Sequence, residues 1–172
     1  MTSRAVPLIV LVATIGLWSA VGATARAEEG NQAALAAAMK NATATLQGGL
    51  KASEAQGAPI SAKFEIEDGK LQLSVYTMQG DSFTEVVADA NTGAIKEAET
   101  IKEADDLKEA TEQKAAMAKA KVPLLTATET AVKANAGSRA VSVVPELKNG
   151  QAMAEVTLLQ GTAFKKVTEK LD

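Results

Sequence analysis

The most regular pattern in the chain is an alternation of apolar and polar residues on both sides of Asp68-Gly69. Apolar residues stand at every second position there: Ile60, Ala62, Phe64, Ile66, Leu71, Leu73 and Val75. Such a period of two is typical of half-buried antiparallel strands, and Asp-Gly suits the two-residue turn of a hairpin. A second turn at Gln79-Gly80-Asp81 precedes a third strand around Ser82–Asp89. The pattern therefore predicts a three-stranded meander.

The same pattern returns 81 residues later in the chain. Residues 58–91 align without a gap to residues 139–172 with eight identities in thirty-four positions, where unrelated sequences would share about two. Asn149-Gly150 then occupies the place of Asp68-Gly69, and Gln160-Gly161-Thr162 forms the second turn before a third strand around residues 163–170. The chain thus contains an internal duplication of the meander.

A helix is predicted ahead of each meander, because apolar residues recur there at intervals of three and four. The first stripe consists of Leu35, Met39, Ala42, Leu46, Leu50 and Ser53. The second helix begins near Pro123 and ends at Asn135-Ala136-Gly137. Its stripe is Leu124, Ala127, Ala131 and Ala134, matched to Thr43, Leu46, Leu50 and Ser53. Gly48-Gly49 interrupts the first helix, which we interpret as a kink or close helix–sheet packing in preference to a hinge or ligand approach.

The domain organisation follows from these elements. We predict an α+β fold of two tandem units, each one helix packed on a three-stranded antiparallel meander. The first unit spans residues 28–95 and the second residues 122–172. Residues 96–121, rich in Ala, Glu and Lys, are expected to form a solvated helical connector. Because this connector offers little apolar surface, we expect two separate cores.

The N-terminus has the features of a signal peptide, residues 1–27. Arg4 precedes an uncharged apolar stretch that runs from about Val6 to Ala23. Ala25 and Ala27 give the small-x-small spacing of a cleavage site, so cleavage is expected after Ala27, with Ala25 as the second choice. An uncleaved membrane anchor is the alternative. Cleavage would leave a periplasmic or secreted protein with no stable membrane span.

The composition excludes several functional classes. The chain has no cysteine and no histidine, which removes thiol nucleophiles, Ser-His pairs and the usual zinc ligands. No Ser-x-x-Lys, Gly-x-Ser-x-Gly or P-loop motif occurs. Loss of Arg4 and Arg26 with the signal peptide would leave 16 basic and 21 acidic residues, a net charge of −5 that argues against nucleic-acid binding. We therefore expect a non-enzymatic protein without a cofactor.

Three features are weak candidates for binding sites. Asp89-Ala90-Asn91-Thr92-Gly93 resembles the start of a calcium loop but lacks its remaining ligands, so a plain turn is the better interpretation. A cluster of acidic residues could attract divalent cations, yet a solvated helix face explains it more simply: Glu97, Glu99, Glu103, Asp105, Asp106 and Glu109. Tyr76 alternates with apolar Leu73 and Val75, which predicts an exposed aromatic that could anchor a partner. We expect no metal site.

Three segments of the first copy form a recognisable series: Ala58-Pro59-Ile60, residues 63–71, and the run of residues 86–95, which contains Asp89-Ala90-Asn91-Thr92-Gly93. On these residues the chain resembles the PepSY family of small α+β modules. The second copy matches through Lys148-Asn149-Gly150, Val156 and Phe164, and lacks the Thr-Gly turn. Membership would imply binding of a protein or peptide partner, with an exported peptidase as one such partner. A passive envelope component, or a carrier of a small apolar ligand or divalent cation, is the alternative.

Overall fold

Seven strands form one antiparallel sheet in the computed structural model, which describes the backbone of residues 20–172 and the side chains of residues 30–172. The strands are β1 (Ala58–Glu67), β2 (Lys70–Gln79), β3 (Ser82–Asp89), β4 (Ile95–Thr100), β5 (Arg139–Lys148), β6 (Gln151–Gln160) and β7 (Ala163–Lys170). Their order across the sheet is β4-β3-β2-β1-β5-β6-β7. The two meanders therefore lie side by side, with β1 and β5 in the middle.

The two meanders repeat each other in backbone detail, and the predicted strands and turns are confirmed. Asp68 and Asn149 both have positive φ, of 49° and 52°, as a type I′ hairpin turn requires. A register shift occurs between Pro59 and Ser61 in β1 and at the equivalent place, between Ala140 and Ser142, in β5. The period-two pattern and the turn residues therefore determine the local geometry of both copies.

Four helices accompany the sheet: α1 (Ala20–Met39), α2 (Leu46–Ser53), α3 (Ala104–Met117) and α4 (Leu124–Ala134). The single helix predicted before the first meander is wrong, because residues 40–45 separate α1 from α2. Thr45 caps α2 by accepting a hydrogen bond from the N–H of Gly48 at 3.0 Å. The helix break thus lies before this cap, and Gly48-Gly49 sit inside α2.

Gly49 faces the sheet, as the close-packing interpretation predicted. A Cβ at this position would lie 2.3 Å from Cδ2 of Leu73, so a larger residue would collide with the strand beneath. The buried positions of α2 are Leu46, Gly49, Leu50 and Ser53, and those of α4 are Leu124, Ala127, Thr128 and Ala131. These two sets correspond at a spacing of 78 residues, so the helix alignment expected from the strands was wrong by three residues.

One core serves both copies, which overturns the predicted fold of two tandem units with separate cores. β1 pairs with β5 through Ala62↔Val143 and Lys63↔Ser142, which makes the sheet continuous. The helices α1, α2 and α4 cover one face of this sheet, here called the helix face. A single cluster of buried residues there includes members of both copies, such as Leu50, Val75, Ala131 and Val156. The prediction of two separate units is wrong because β1 pairs with β5 through backbone hydrogen bonds. The pattern of apolar and polar side chains does not indicate which strands pair in this way.

The predicted solvated connector is also wrong. Residues 96–121 contain all but the first residue of β4 and the whole of α3, which packs on the opposite face of the sheet, here called the α3 face. Ile101, Ala110 and Ala116 are buried there, and the first two join Ile60, Tyr76 and Phe83 in a second, smaller core. The apolar side of α3 consists mainly of alanines, which is why its burial was underestimated from the sequence.

Arg139 ties the segment between α1 and α2 to the second meander. Its guanidinium donates hydrogen bonds to the carbonyl oxygens of Met39 at 3.1 Å, Ala42 at 2.8 Å and Ala44 at 2.6 Å. The same group lies 5.8 Å from the ring centroid of Phe64. One side chain thereby donates hydrogen bonds to three backbone carbonyl groups between the last residue of α1 and the start of α2.

Most of the predicted signal peptide, residues 1–19, lies outside the described residues. The described part of α1 runs across the predicted cleavage site between Ala27 and Glu28. Among the described helices, none has the length and apolar character needed to cross a membrane.

Candidate functional site: the two edges of the sheet

A turn built around Asp89 brings β4 to one edge of the sheet. The Asp89 carboxylate accepts hydrogen bonds from the backbone N–H groups of Asn91 and Thr92, both at 2.9 Å, and lies 2.7 Å from the Lys96 ammonium. The Lys96 contact and these backbone donors hold the pKa of Asp89 well below its usual range. Gly93 has a φ of 72°, which lets the chain reverse and pair β4 with β3. The turn interpretation of this segment is confirmed.

No strand in the described part of the chain pairs with the outer side of β4, which leaves an open hydrogen-bonding ladder there. The N–H of Ile101 donates to the carbonyl of Phe83 at 3.0 Å, and the register continues through Glu85↔Glu99. Because backbone groups of successive residues point to alternate sides of a strand, Ala98 and Thr100 direct theirs away from β3. All six residues of β4 are exposed. We call this open ladder the β4 edge.

At the opposite end of the sheet, no strand of residues 20–172 pairs with the outer side of β7. The N–H of Leu171 donates to the carbonyl of Ala152 on β6 at 2.9 Å. The same alternation therefore directs the ladder groups of four residues outwards. We call these residues the β7 edge: Phe164, Lys166, Thr168 and Lys170. In the described residues β7 pairs with β6 alone.

The third strands of the two meanders, β3 and β7, carry opposite charges. Glu85 and Asp89 of β3 correspond to Lys166 and Lys170 of β7 in the internal repeat. Lys166 lies 2.8 Å from Glu155, with 64% of its side chain exposed. The charge of the third strand is thus inverted between copies whose backbones have the same register.

Tyr76 is buried, so the expected exposed aromatic is wrong. It lies on the α3 face as the alternation predicted, but only 6% of it is exposed because α3 and Ile101 cover it. Burial and the nearby carboxylates of Glu85 and Asp106 raise the pKa of the Tyr76 hydroxyl. Tyr76 is therefore a core residue in this structure, and its surface is not available to a partner.

The polar part of the α3 face is organised around Glu65. Its carboxylate accepts a hydrogen bond from the Ser74 hydroxyl at 2.6 Å and lies 2.8 Å from the Lys63 ammonium. Glu85 lies in the same region, where burial raises the pKa of its carboxyl, with a further increase from the charge on Glu65. These groups form a network of ion pairs and hydrogen bonds on the strand surface, in which the Ser74 hydroxyl is buried.

The acidic residues of β4 and α3 do not converge on a metal site. Within the described residues, no group of three or more carboxylates has the arrangement needed to hold a metal ion. Glu97 and Glu99 lie on β4, whereas Asp105, Asp106 and Glu109 lie on α3. The separation of these two elements disperses the cluster that the sequence places together.

An apolar cavity lies between α2 and the segment that joins α3 to α4. Its volume is about 290 Å³, and Glu54 and Lys121 stand among its mainly apolar walls. The apolar lining residues include Leu50, Pro59, Met117, Val122, Leu124 and Leu125. This size would accommodate a small apolar molecule.

Sequence reasoning did not identify the β7 edge as a site. It used the alignment of the two copies only for the positions where they agree. The signal was present in positions where they differ, since Lys166 and Lys170 stand where the first copy has acids. Tyr76, which was proposed instead, could not be recognised as buried because the position of α3 was unknown.

No family model matches the chain, and no match was found among curated proteins. The chain is similar to the crystal structure of a putative lipoprotein from Clostridium difficile 630, at 15% identity, over 71% of this chain and 80% of that one, with a TM-score of 0.39. A likeness of this size supports no conclusion about fold or function.

Proposed function

We propose that this protein is an exported, non-enzymatic binding module that takes up an extended segment of a protein or peptide partner at an edge of its sheet. The observation that carries the proposal is the pair of open ladders on β4 and β7. Unpaired strand edges bind extended peptides through main-chain hydrogen bonds, while side chains on alternate positions provide specificity.

The cellular setting of this proposal comes from the sequence. The signal peptide of residues 1–27 places the protein in the periplasm or outside the cell, and the PepSY resemblance favours an exported peptidase as the partner. N-terminal sequencing of the protein from an envelope fraction tests the export step. We expect the first residue to be Glu28, and a full-length species retained in the membrane would contradict export by cleavage.

Affinity capture with edge variants tests the binding function. The mature protein is used as bait in an envelope extract, beside Ala98→Pro, Thr168→Pro and the double variant. Proline removes an outward N–H from β4 or β7 and leaves the ladder to β3 or β6 intact. We expect a partner that the wild type captures and the double variant loses. Any captured peptidase is then assayed with and without the protein, and capture that is indifferent to all three variants would contradict the edge mechanism.

The apolar cavity beside α2 supports a second candidate, a carrier of a small apolar ligand. A ligand that binds only the folded state raises the melting temperature in proportion to its concentration and affinity. We would screen small apolar carboxylates and amines by thermal shift, with Leu125→Glu as the variant that introduces a charge into the wall. A reproducible shift that Leu125→Glu abolishes, together with no edge-dependent capture, would favour the carrier function.

A further inference from the structure

The internal repeat shows which structural neighbour β7 lacks. In the first meander, the outward groups of β3 pair with β4 through Phe83, Glu85 and Val87. The corresponding residues of the second meander are Phe164, Lys166 and Thr168, and their outward groups have no strand beside them in the described residues. Within residues 20–172, the second copy therefore has the register of a four-stranded unit and three strands.

From this comparison we infer that the β7 edge binds an antiparallel strand of a partner protein, with an acidic side chain opposite Lys166, a second acidic side chain opposite Thr168, and a large aliphatic side chain opposite Phe164. This inference rests on the proposed function and specifies its edge and its partner chemistry. The strand would take the place that β4 takes in the first meander.

The charge at the edge selects an acidic strand. In the first meander Glu99 lies opposite Glu85, a pairing of like charges that destabilises an antiparallel sheet. At the β7 edge the residue equivalent to Glu85 is Lys166, so an acid at the position of Glu99 would meet a cation. An acid at the position of Glu97 would lie beside Thr168, diagonal to Lys166 and Lys170. The partner's acid would therefore join the ion pair that Lys166 forms with Glu155.

The apolar requirement comes from Phe164. Its counterpart Phe83 is 7% exposed and packs in a cluster with Ile101, the residue that follows β4. Phe164 is only half-buried, and no residue of the described chain stands in the position of Ile101 beside it. A large aliphatic residue at this end of the partner strand would cover the ring.

Lysines on an edge strand also protect a sheet from pairing with its own copies. Two β7 edges placed antiparallel would bring Lys166 and Lys170 of one copy against the same residues of the other. The lysines thus oppose self-pairing of β7 and leave an acidic partner strand favoured. The two lysines therefore make the β7 edge selective for an acidic strand over a second copy of itself.

The peptide Ile-Lys-Glu-Ala-Glu-Thr-Ile, the sequence of residues 95–101 with blocked ends, is the direct probe. Aligned as β4 is aligned with β3, it places its second Glu opposite Lys166, its first Glu opposite Thr168 and its final Ile opposite Phe164. Binding to the mature protein is measured by fluorescence anisotropy. Amide hydrogen exchange on the same sample identifies the edge that is occupied.

We expect the peptide to slow exchange at the outward amides of Lys166 and Thr168, while the amides of Lys165 and Val167, already bonded to β6, change little. Replacing both glutamates of the peptide by lysine should weaken binding on the order of tenfold at low salt, and added salt should reduce this difference. Thr168→Pro should abolish binding, whereas the matched variant Ala98→Pro at the β4 edge should leave it unchanged. The double variant Glu155→Lys/Lys166→Glu, which keeps an ion pair in place, should prefer the lysine peptide.

Three results would overturn the inference. Binding that Ala98→Pro removes and Thr168→Pro spares would place the partner at β4, and the proposed function would stand while this inference fails. Concentration-dependent self-association of the wild type that Thr168→Pro abolishes would make a second copy the occupant. If the wild type neither binds the peptide nor changes its amide exchange, the inference is overturned, and this result does not depend on any variant being folded. Edge-dependent capture from the extract tests the proposed function separately.

Discussion

The first and second meanders share a backbone plan but differ in charge and in what flanks them. Both have the same hairpin turns and the same register shift near the start of their first strand. Yet Glu85 and Asp89 of the first become Lys166 and Lys170 of the second, and among the described strands a fourth one extends the first meander alone. Turn residues and apolar alternation therefore preserve the sheet, while polar positions outside the core differ in charge between the copies.

The helices of the two copies correspond at a spacing of 78 residues, whereas their strands correspond at a spacing of 81. Gly49 of α2 corresponds to Ala127 of α4, and Leu73 of β2 corresponds to Ala154 of β6. The first copy thus combines no side chain on the helix with a large one on the strand, whereas the second has two small side chains. The two copies therefore pack similar helix–sheet contacts with side chains of different size.

The largest expected effect is the loss of folding when the second copy is separated from the first. A fragment of residues 119–172 would expose the helix-face residues that pack against α2 and β1, together with the unpaired edge of β5. A chain this short also buries only a small core. We expect no cooperative thermal transition by circular dichroism, in contrast to the mature protein measured in parallel. A sigmoidal transition and a dispersed amide spectrum would show that the copy is independent.

The next effect concerns the contact between α2 and β2. Leu73→Ala should cost about 2–5 kcal/mol because it empties a buried site, and Gly49→Ala about 1–3 kcal/mol because its Cβ would overlap Leu73. The double variant has the residue pair found in the second copy, so the added methyl group should fill part of the space. Denaturant unfolding should show a combined cost about 0.5–3 kcal/mol below the sum of the single costs.

Gly48→Ala is the control for this pair, since Gly48 is exposed and its Cβ would lie 3.1 Å from the Thr45 hydroxyl oxygen and no strand residue. The gain in helix propensity, up to about 1 kcal/mol, should offset that tight contact. If Gly49→Ala proved as mild as Gly48→Ala, the close packing of α2 on β2 would not limit stability.

A smaller effect is expected at Arg139, which has Ala58 as its counterpart in the first copy. Arg139→Ala removes the donor to three carbonyl groups and the contact with Phe64. We expect a loss of about 2 kcal/mol of unfolding free energy, with faster amide exchange in residues 40–45. Arg139→Lys keeps the charge without the planar fork of donors, so its free energy of unfolding should lie between those of the wild type and of Arg139→Ala. Equal costs for Ala and Lys would assign the role to guanidinium geometry alone.

The sequence predicted the strands and turns well because these depend on local patterns. Asp68-Gly69 and Asn149-Gly150 are recognisable without any tertiary information. The pairing of β1 with β5 and the burial of Tyr76 beneath α3 depend on contacts between distant segments, which alternation does not encode. The β7 edge was detectable only in part, since the charge inversion at Lys166 is visible in the alignment but the open ladder beside it is not.

The smallest expected effect is at the Asp89 turn, which distinguishes the first meander from the second, where Lys170 stands at the same place. Its lowered pKa, caused by Lys96 and by the backbone N–H groups of Thr92 and Asn91, means that the folded state favours the ionised carboxylate. The stabilisation is present above the ordinary pKa of an aspartate, about 3.9, and disappears as the pH falls through the lower folded-state pKa. Asp89→Asn keeps an acceptor for the turn but loses the charge, so the difference in stability between wild type and variant should be modest at neutral pH and vanish in acid. Denaturant unfolding over a pH series, together with the carboxyl carbon chemical shift of Asp89, measures both quantities. A difference that stays constant with pH would show that the turn depends on the hydrogen-bond acceptor and not on its charge.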